Sequence, residues 1–194
     1  MTDHPSKALL RSRAREALAA LTPAERAAAS GEICARIRAV PGWEGARVIG
    51  LYAAQPTEPD LGALLTDAGS GTGRVFCFPR VAPDGLEFHR WHAAGWLKRG
   101  PWNLQEPDPE HCPAVPPEEM DLLLIPGLAF TPGGSRLGRG GGYFDRFLSR
   151  ANPAATRVGV CFHRQLVDTL PLEEHDHAVG WVVTEAAVIR AGGR

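Results

Sequence analysis

The sequence lacks paired cysteines. Cys34, Cys77, Cys112 and Cys161 are spread along 194 residues with no CxxC pair, which argues against a zinc ribbon and against the dense disulfide framework of small secreted domains. No run approaches the ~18–20 apolar residues needed to cross a bilayer. Residues 1–10 carry Asp3, His4 and Lys7 where a signal peptide would have its apolar core. These absences predict a cytoplasmic protein with no membrane partner. Charge of one sign is missing too: 21 Lys and Arg stand against 22 Asp and Glu, a net charge of −1. No basic field is present to draw in nucleic acid. His89, His92, His111, His163, His175 and His177 show no HExxH or other metal spacing. No internal repeat or linker is visible, and with 44% apolar and 22% charged residues the chain has the composition of a folded protein. The expectation is one domain over residues 1–194.

What is present begins with helical periodicity over residues 5–21, where Lys7, Arg11 and Arg15 recur every four residues along one side. Thr22 as cap, Pro23 at the first helical position and Glu25 three residues after Thr22 form a capping box. They predict a second helix reaching about Val40. Short β-like runs follow at residues 47–53 and 74–79, with a short helix near 61–68 between them. Pro83-Asp84-Gly85 predicts that residues 86–91 fold back on the preceding strand. Residues 93–119 are proline-rich without period and read as an irregular surface stretch. Four consecutive apolar residues in Asp121-Leu-Leu-Leu-Ile-Pro126 predict a strand covered on both faces. With further strands at 157–162 and 181–184, the pattern is that of an α/β protein whose mostly parallel sheet carries helices on both faces.

Residues 136–145 read Arg-Leu-Gly-Arg-Gly-Gly-Gly-Tyr-Phe-Asp. Gly138, Gly140, Gly141 and Gly142 lie between a buried strand and a helix beginning at Tyr143, where backbone N–H groups can approach a phosphate closely. Arg136 and Arg139 add planar, fully charged donors, and Asp145 offers a hard oxygen suited to Mg²⁺. The spacing matches neither the Walker A loop nor the Rossmann fingerprint. Arg-Gly repeats also occur in disordered RNA-binding tails, but this one is flanked by a strand and an amphipathic helix.

The stretch from Asp121 to Phe130 together with Arg136 to Asp145 closely resembles the signature of the 5-formyltetrahydrofolate cyclo-ligase (methenyltetrahydrofolate synthetase) family. Lys7-Ala-Leu-Leu-Arg11, Glu58, Trp102-Asn-Leu-Gln-Glu-Pro107, Leu170-Pro171, His175-Asp176 and residues 182–185 extend the resemblance over nearly the whole chain. The run Glu58-Pro59-Asp60-Leu61 departs from the family's Glu-hydrophobic-Asp-Thr, and Phe144 stands where many members have a second tyrosine.

The resemblance implies a three-layer α/β/α fold of the NagB/RpiA/CoA-transferase type. It also implies conversion of 5-formyltetrahydrofolate and ATP, with Mg²⁺, into 5,10-methenyltetrahydrofolate, ADP and phosphate. The ATP-binding residues it implies are Lys7, Arg11, Arg136, Gly138, Arg139, Gly140, Gly141, Gly142, Tyr143 and Phe144. Ala53, Glu58, Trp102, Arg139 and Tyr143 are implied for the folate, with or without a polyglutamate tail, Tyr143 and Arg139 for catalysis, and Asp145 and Asp176 for the metal. A monomer is expected. Two alternatives stand beside this reading: a diverged paralogue that keeps ATP but acts on another substrate, and a non-catalytic nucleotide- or RNA-binding module, against which the near-neutral charge counts.

Overall fold

The computed structural model describes residues 5–69, 73–92, 97–101 and 104–192. Helix α1 (Lys7–Ala19) opens on Ser6, whose side chain accepts the Leu9 N–H. Helix α2 (Pro23–Ile37) starts on the full Thr22–Glu25 capping box, a device that contributes about 1 kcal/mol. Twelve strands follow: β1 (Val48–Gly50), β2 (Val75–Ala82), β3 (Gly85–Arg90), β4 (Leu97–Arg99), β5 (Gln105–Pro107), β6 (Ala114–Val115), β7 (Leu122–Pro126), β8 (Ala129–Phe130), β9 (Arg136–Leu137), β10 (Thr156–Val160), β11 (Trp181–Val183) and β12 (Val188–Arg190). Helix α3 (Tyr143–Leu148) lies between β9 and β10.

Eight strands form one sheet in the order β12-β11-β10-β7-β1-β2-β3-β6. Its five central strands, β11 to β2, run parallel, and β12, β3 and β6 add antiparallel edges. Period-2 alternation covers both faces. Along β7, Leu122 and Leu124 pack with Ile33 and Ile37 of α2, while Leu123 and Ile125 pack with Phe147 and Leu148 of α3. Three layers result, with α1 and α2 on one face and α3 on the other. Among the described residues no helix is long and apolar enough to cross a membrane.

From β1 the chain moves to β2 on one side and later returns to β7 on the other. Strand order therefore reverses at the carboxyl ends of β1 and β7, the place where open α/β sheets bind ligands. The short helix expected near residues 61–68 is a 3₁₀ helix over residues 62–69. One expectation needs correction: the described residues from 97 to 119 are less irregular than their prolines suggest. There β4 pairs with β5 and β6 pairs with β3, burying Glu106, Asp108 and Cys112.

Candidate active site

A cavity of about 470 Å³ opens at that reversal point, a volume in the range of small-molecule sites. The segment after β1 supplies Tyr52, Ala53, Gln55 and Glu58. The segment after β7 supplies Pro126, Gly127, Arg136, Gly138, Arg139 and residues 141–145. Pro79, Val81, Leu86 and Leu104 complete an apolar wall, with Glu106 set among them.

The loop after β1 is folded to present Glu58. The Gln55 N–H donates to Glu58 Oε2 at 3.0 Å, and the Glu58 N–H returns to the Gln55 carbonyl at 2.9 Å. The Tyr52 hydroxyl, fully buried, donates to the Pro59 carbonyl at 2.9 Å. Burial, with the nearby Glu58 charge second, pushes the Tyr52 phenol well above its ordinary range, so it remains a neutral donor. Leu61, the residue that departs from the family pattern, is 2% exposed in the core and does not line the cavity.

The glycine loop follows the small ribbon β8–β9, which carries Arg136 at its end. Arg136 is buried, its Nη2 donating to Asp145 Oδ1 at 2.6 Å and its guanidinium lying 6.0 Å from the Phe144 ring centroid. Two arginines hold the loop through its carbonyls. Arg11 Nε donates to the Gly138 carbonyl at 3.0 Å, and Arg146 Nη1 donates to that of Gly141 at 3.0 Å. Gly140 adopts φ +112°, and a Cβ there would lie 3.6 Å from the Arg11 guanidinium carbon, so the position favours glycine. The N–H groups of residues 139–142, by contrast, find no protein acceptor among the described residues. Four free amides beside Arg139 form a concave donor array of the kind that takes an anion. Because α3 has only six residues, its dipole adds little, and the loop and its arginines supply the field.

Arg139 points into the cavity and places both Nε and Nη2 on Glu58 Oε1, at 3.0 and 2.7 Å. Tyr143 lines the cavity with its ring under the Arg146 guanidinium, 5.0 Å from the centroid.

Lys7, Arg11 and Asp176 do not line the cavity but stand beside its loop. Lys7 Nζ meets Asp176 Oδ2 at 2.7 Å and Glu173 Oε2 at 3.2 Å. Burial alone would raise the Asp176 carboxyl, but the Lys7 hydrogen bond, the Glu173 N–H and the Lys7 charge outweigh it and hold the group below its ordinary value. The next residue, His177, donates its N–H to Asp145 Oδ1 at 3.3 Å, which brings the two acidic segments together. Arg15 is exposed and takes no part. Trp102 lies outside the described residues.

Asp145 and Asp176 each use one oxygen for protein donors, Oδ1 and Oδ2 respectively, and leave the other without a donor among the described residues. Hard oxygens left open in this way fit Mg²⁺, which is commonly held by one or two carboxylates plus substrate phosphates. Sequence reasoning missed Tyr52, Gln55 and Glu106. Glu106 stands inside the Trp-Asn-Leu-Gln-Glu-Pro segment, and its signal was the unexplained acid before a proline.

The sequence profile of the 5-formyltetrahydrofolate cyclo-ligase family matches residues 3–185. A 5-formyltetrahydrofolate cyclo-ligase of Mycolicibacterium smegmatis is 40% identical over 90 residues, which span 46% of this chain and 46% of that protein. That of Escherichia coli is 29% identical over 178 residues, spanning 90% of this chain and 97% of the relative. The solution structure of 5,10-methenyltetrahydrofolate synthetase from Aquifex aeolicus superposes with a TM-score of 0.85 at 30% identity, covering 97% of this chain and 94% of the other. With the profile spanning nearly its full length, the chain belongs to the 5-formyltetrahydrofolate cyclo-ligase family.

Proposed function

We propose that the protein, acting as one domain over residues 1–194, catalyses the ATP- and Mg²⁺-dependent cyclisation of 5-formyltetrahydrofolate to 5,10-methenyltetrahydrofolate, releasing ADP and phosphate. The observation that carries this reading is Arg139. It belongs to the free-amide loop and reaches Glu58 inside the apolar cavity, so one residue joins a phosphate cradle to a ring-sized pocket.

The chemistry needs such a junction. An amide-like formyl oxygen is a poor leaving group and must be activated before the ring can close. In the proposed course the formyl oxygen attacks the γ-phosphorus of ATP and ADP departs, leaving a phosphorylated imidate. The second folate nitrogen then adds to the activated carbon, gives up its proton, and phosphate leaves. The protein aligns the reactants and neutralises charge. The amides of residues 139–142, Arg136, Lys7 and Arg11 attend the phosphates, with Gly138 and Phe144 shaping the cradle. Arg139 and Tyr143 flank the reacting carbon and phosphorus. Ala53, Trp102 and the remaining lone pair of Glu58 Oε2 attend the folate. Asp145 and Asp176 would hold Mg²⁺, which when bound offsets phosphate charge. The reading extends to a cytoplasmic monomer that takes folates with or without a polyglutamate tail and binds no nucleic acid.

The deciding experiment follows methenyltetrahydrofolate by its near-ultraviolet absorbance, with 5-formyltetrahydrofolate, ATP and Mg²⁺. Signal growth that requires ATP supports the reading. A folded protein that binds ATP yet yields no product overturns it in favour of a diverged paralogue.

A further inference from the structure

Three carboxylates line the cavity, Glu58, Glu106 and Asp145. Asp145 Oδ1 already takes Arg136 and the His177 N–H, and Glu58 and Glu106 differ in how far their acceptor positions are filled. A carboxylate has about four lone-pair positions. Glu58 is nearly saturated: Oε1 accepts both Arg139 donors, and Oε2 accepts the Gln55 N–H. Glu106, on β5, accepts a single bond, from the Val81 N–H to Oε1 at 3.1 Å. Among the described residues its Oε2 has no donor and no cation pairs with it. The residue is nonetheless only 6% exposed and lines the cavity.

A buried carboxylate without a counter-charge is costly and rarely retained without a partner. Here the fold holds it in place. A Cβ added at Gly100 would lie 2.3 Å from the Glu106 carboxyl carbon and from Oε2, so the group occupies space that only a glycine leaves open. Bidentate recognition needs one open lone pair on each oxygen. Glu106 meets that condition, and Glu58, with Oε1 filled, does not.

We infer that Glu106 is a substrate-recognition residue whose two oxygens accept two parallel N–H donors from a guanidine-like ring edge. Resting on the proposed function, that edge is the amino-pyrimidine edge of the reduced pterin. Pro79, Val81, Leu86 and Leu104 enclose the ring, while Glu58 stays with Arg139. Glu106 thus selects the ring edge, and Glu58 restrains Arg139 while keeping its one open Oε2 lone pair for the folate.

The test uses the full chain and the methenyl absorbance assay, together with direct titration of 5-formyltetrahydrofolate without ATP. Glu106→Gln raises KM and Kd for the folate about 10- to 100-fold, while KM for ATP moves less than about threefold. Gly100→Ala, which pushes the intact carboxylate aside, reproduces the split. A substrate analogue lacking the exocyclic amino group is discriminated against by the natural protein and much less by Glu106→Gln. A folded Glu106→Gln variant with natural folate affinity overturns the assignment. So does a natural protein that treats the analogue and the substrate alike, even if Glu106→Gln does not fold. Absence of product from the natural protein instead overturns the proposed reaction, a different outcome from turnover that ignores Glu106.

Discussion

Arg139 and Glu58, 81 residues apart, meet through two N–H donors on a single carboxylate oxygen. The pair joins the loop after β9 to the loop after β1 across the cavity mouth. Lysine carries the same charge but cannot reproduce the fork. Arg139→Lys is expected to lower kcat about 10²-fold, the scale of losing one aimed donor at a transferring group, with thermal stability nearly unchanged. Steady-state kinetics beside a circular-dichroism melt check both parts.

Among the described residues, Arg136 is the one cationic partner of the half-buried Asp145 carboxylate. Replacing it by methionine leaves that carboxylate uncompensated. Breaking such a pair is expected to cost about 3 kcal/mol, at the lower end of the buried range, a fall of roughly 6–12 °C in Tm for a chain of this size. The double variant Arg136→Met/Asp145→Asn recovers part of the loss, because no stranded charge remains. Thermal unfolding of the three proteins measures it.

Lys7 and Asp176 make stability depend on pH at both extremes. Asp176 titrates below its ordinary value, so its contribution is complete above the unfolded carboxyl pKa of about 4 and is lost as pH falls through the lower folded value. Burial works against Lys7, but its hydrogen bonds to Asp176 and Glu173 hold it above its ordinary value. Its contribution is complete below about pH 10.4 and is lost as pH rises beyond. Lys7→Met is therefore expected to cost about 1 kcal/mol between those limits, with the Tm difference shrinking outside them. Melting curves of both proteins across pH decide it.

All four cysteines are buried. Burial pushes the Cys34 thiol up to about 11 and that of Cys77 to about 12, and raises those of Cys112 and Cys161 as well. A thiol-specific chromogenic reagent at about pH 8 should label none of the four in the native protein and all four in denaturant. Fast native labelling of even one would contradict the packing.

At Gly140 the backbone itself is the constraint. Gly140→Ala must leave φ +112°, a conformation that costs a side-chain-bearing residue roughly 1–3 kcal/mol. The shift would disturb the loop amides and Arg11 together. KM for ATP is expected to rise about tenfold while folate affinity stays within about twofold, provided the cradle serves ATP.

Signals confined to a few residues were legible in the sequence. The Thr22–Glu25 capping box, the doubly buried Leu122–Ile125 run of β7 and the glycine cluster each carry their geometry in local spacing. The partnerships were not legible, because the fold creates them. Lys7 finds Asp176 across 169 residues, and Arg136 finds Asp145 only because the β8–β9 ribbon turns it toward α3. Glu106 escaped notice because strands of two or three residues give too little alternation to register as a sheet. Among the implied site residues, those from 136 to 145 with Ala53 and Glu58 come together at the cavity or its loop, while Arg11 reaches the loop from outside the cavity and Lys7 pairs with Asp176.

The sheet ends in strands that are hard to extend. At one side β6 has two residues bracketed by Pro113 and Pro116, and at the other β12 has three and carries Arg190. Proline has no N–H to donate, and so short a strand presents few unpaired backbone groups to another chain. The long parallel interior, apolar on both faces, is thereby closed off from edge-to-edge aggregation by its two least regular strands.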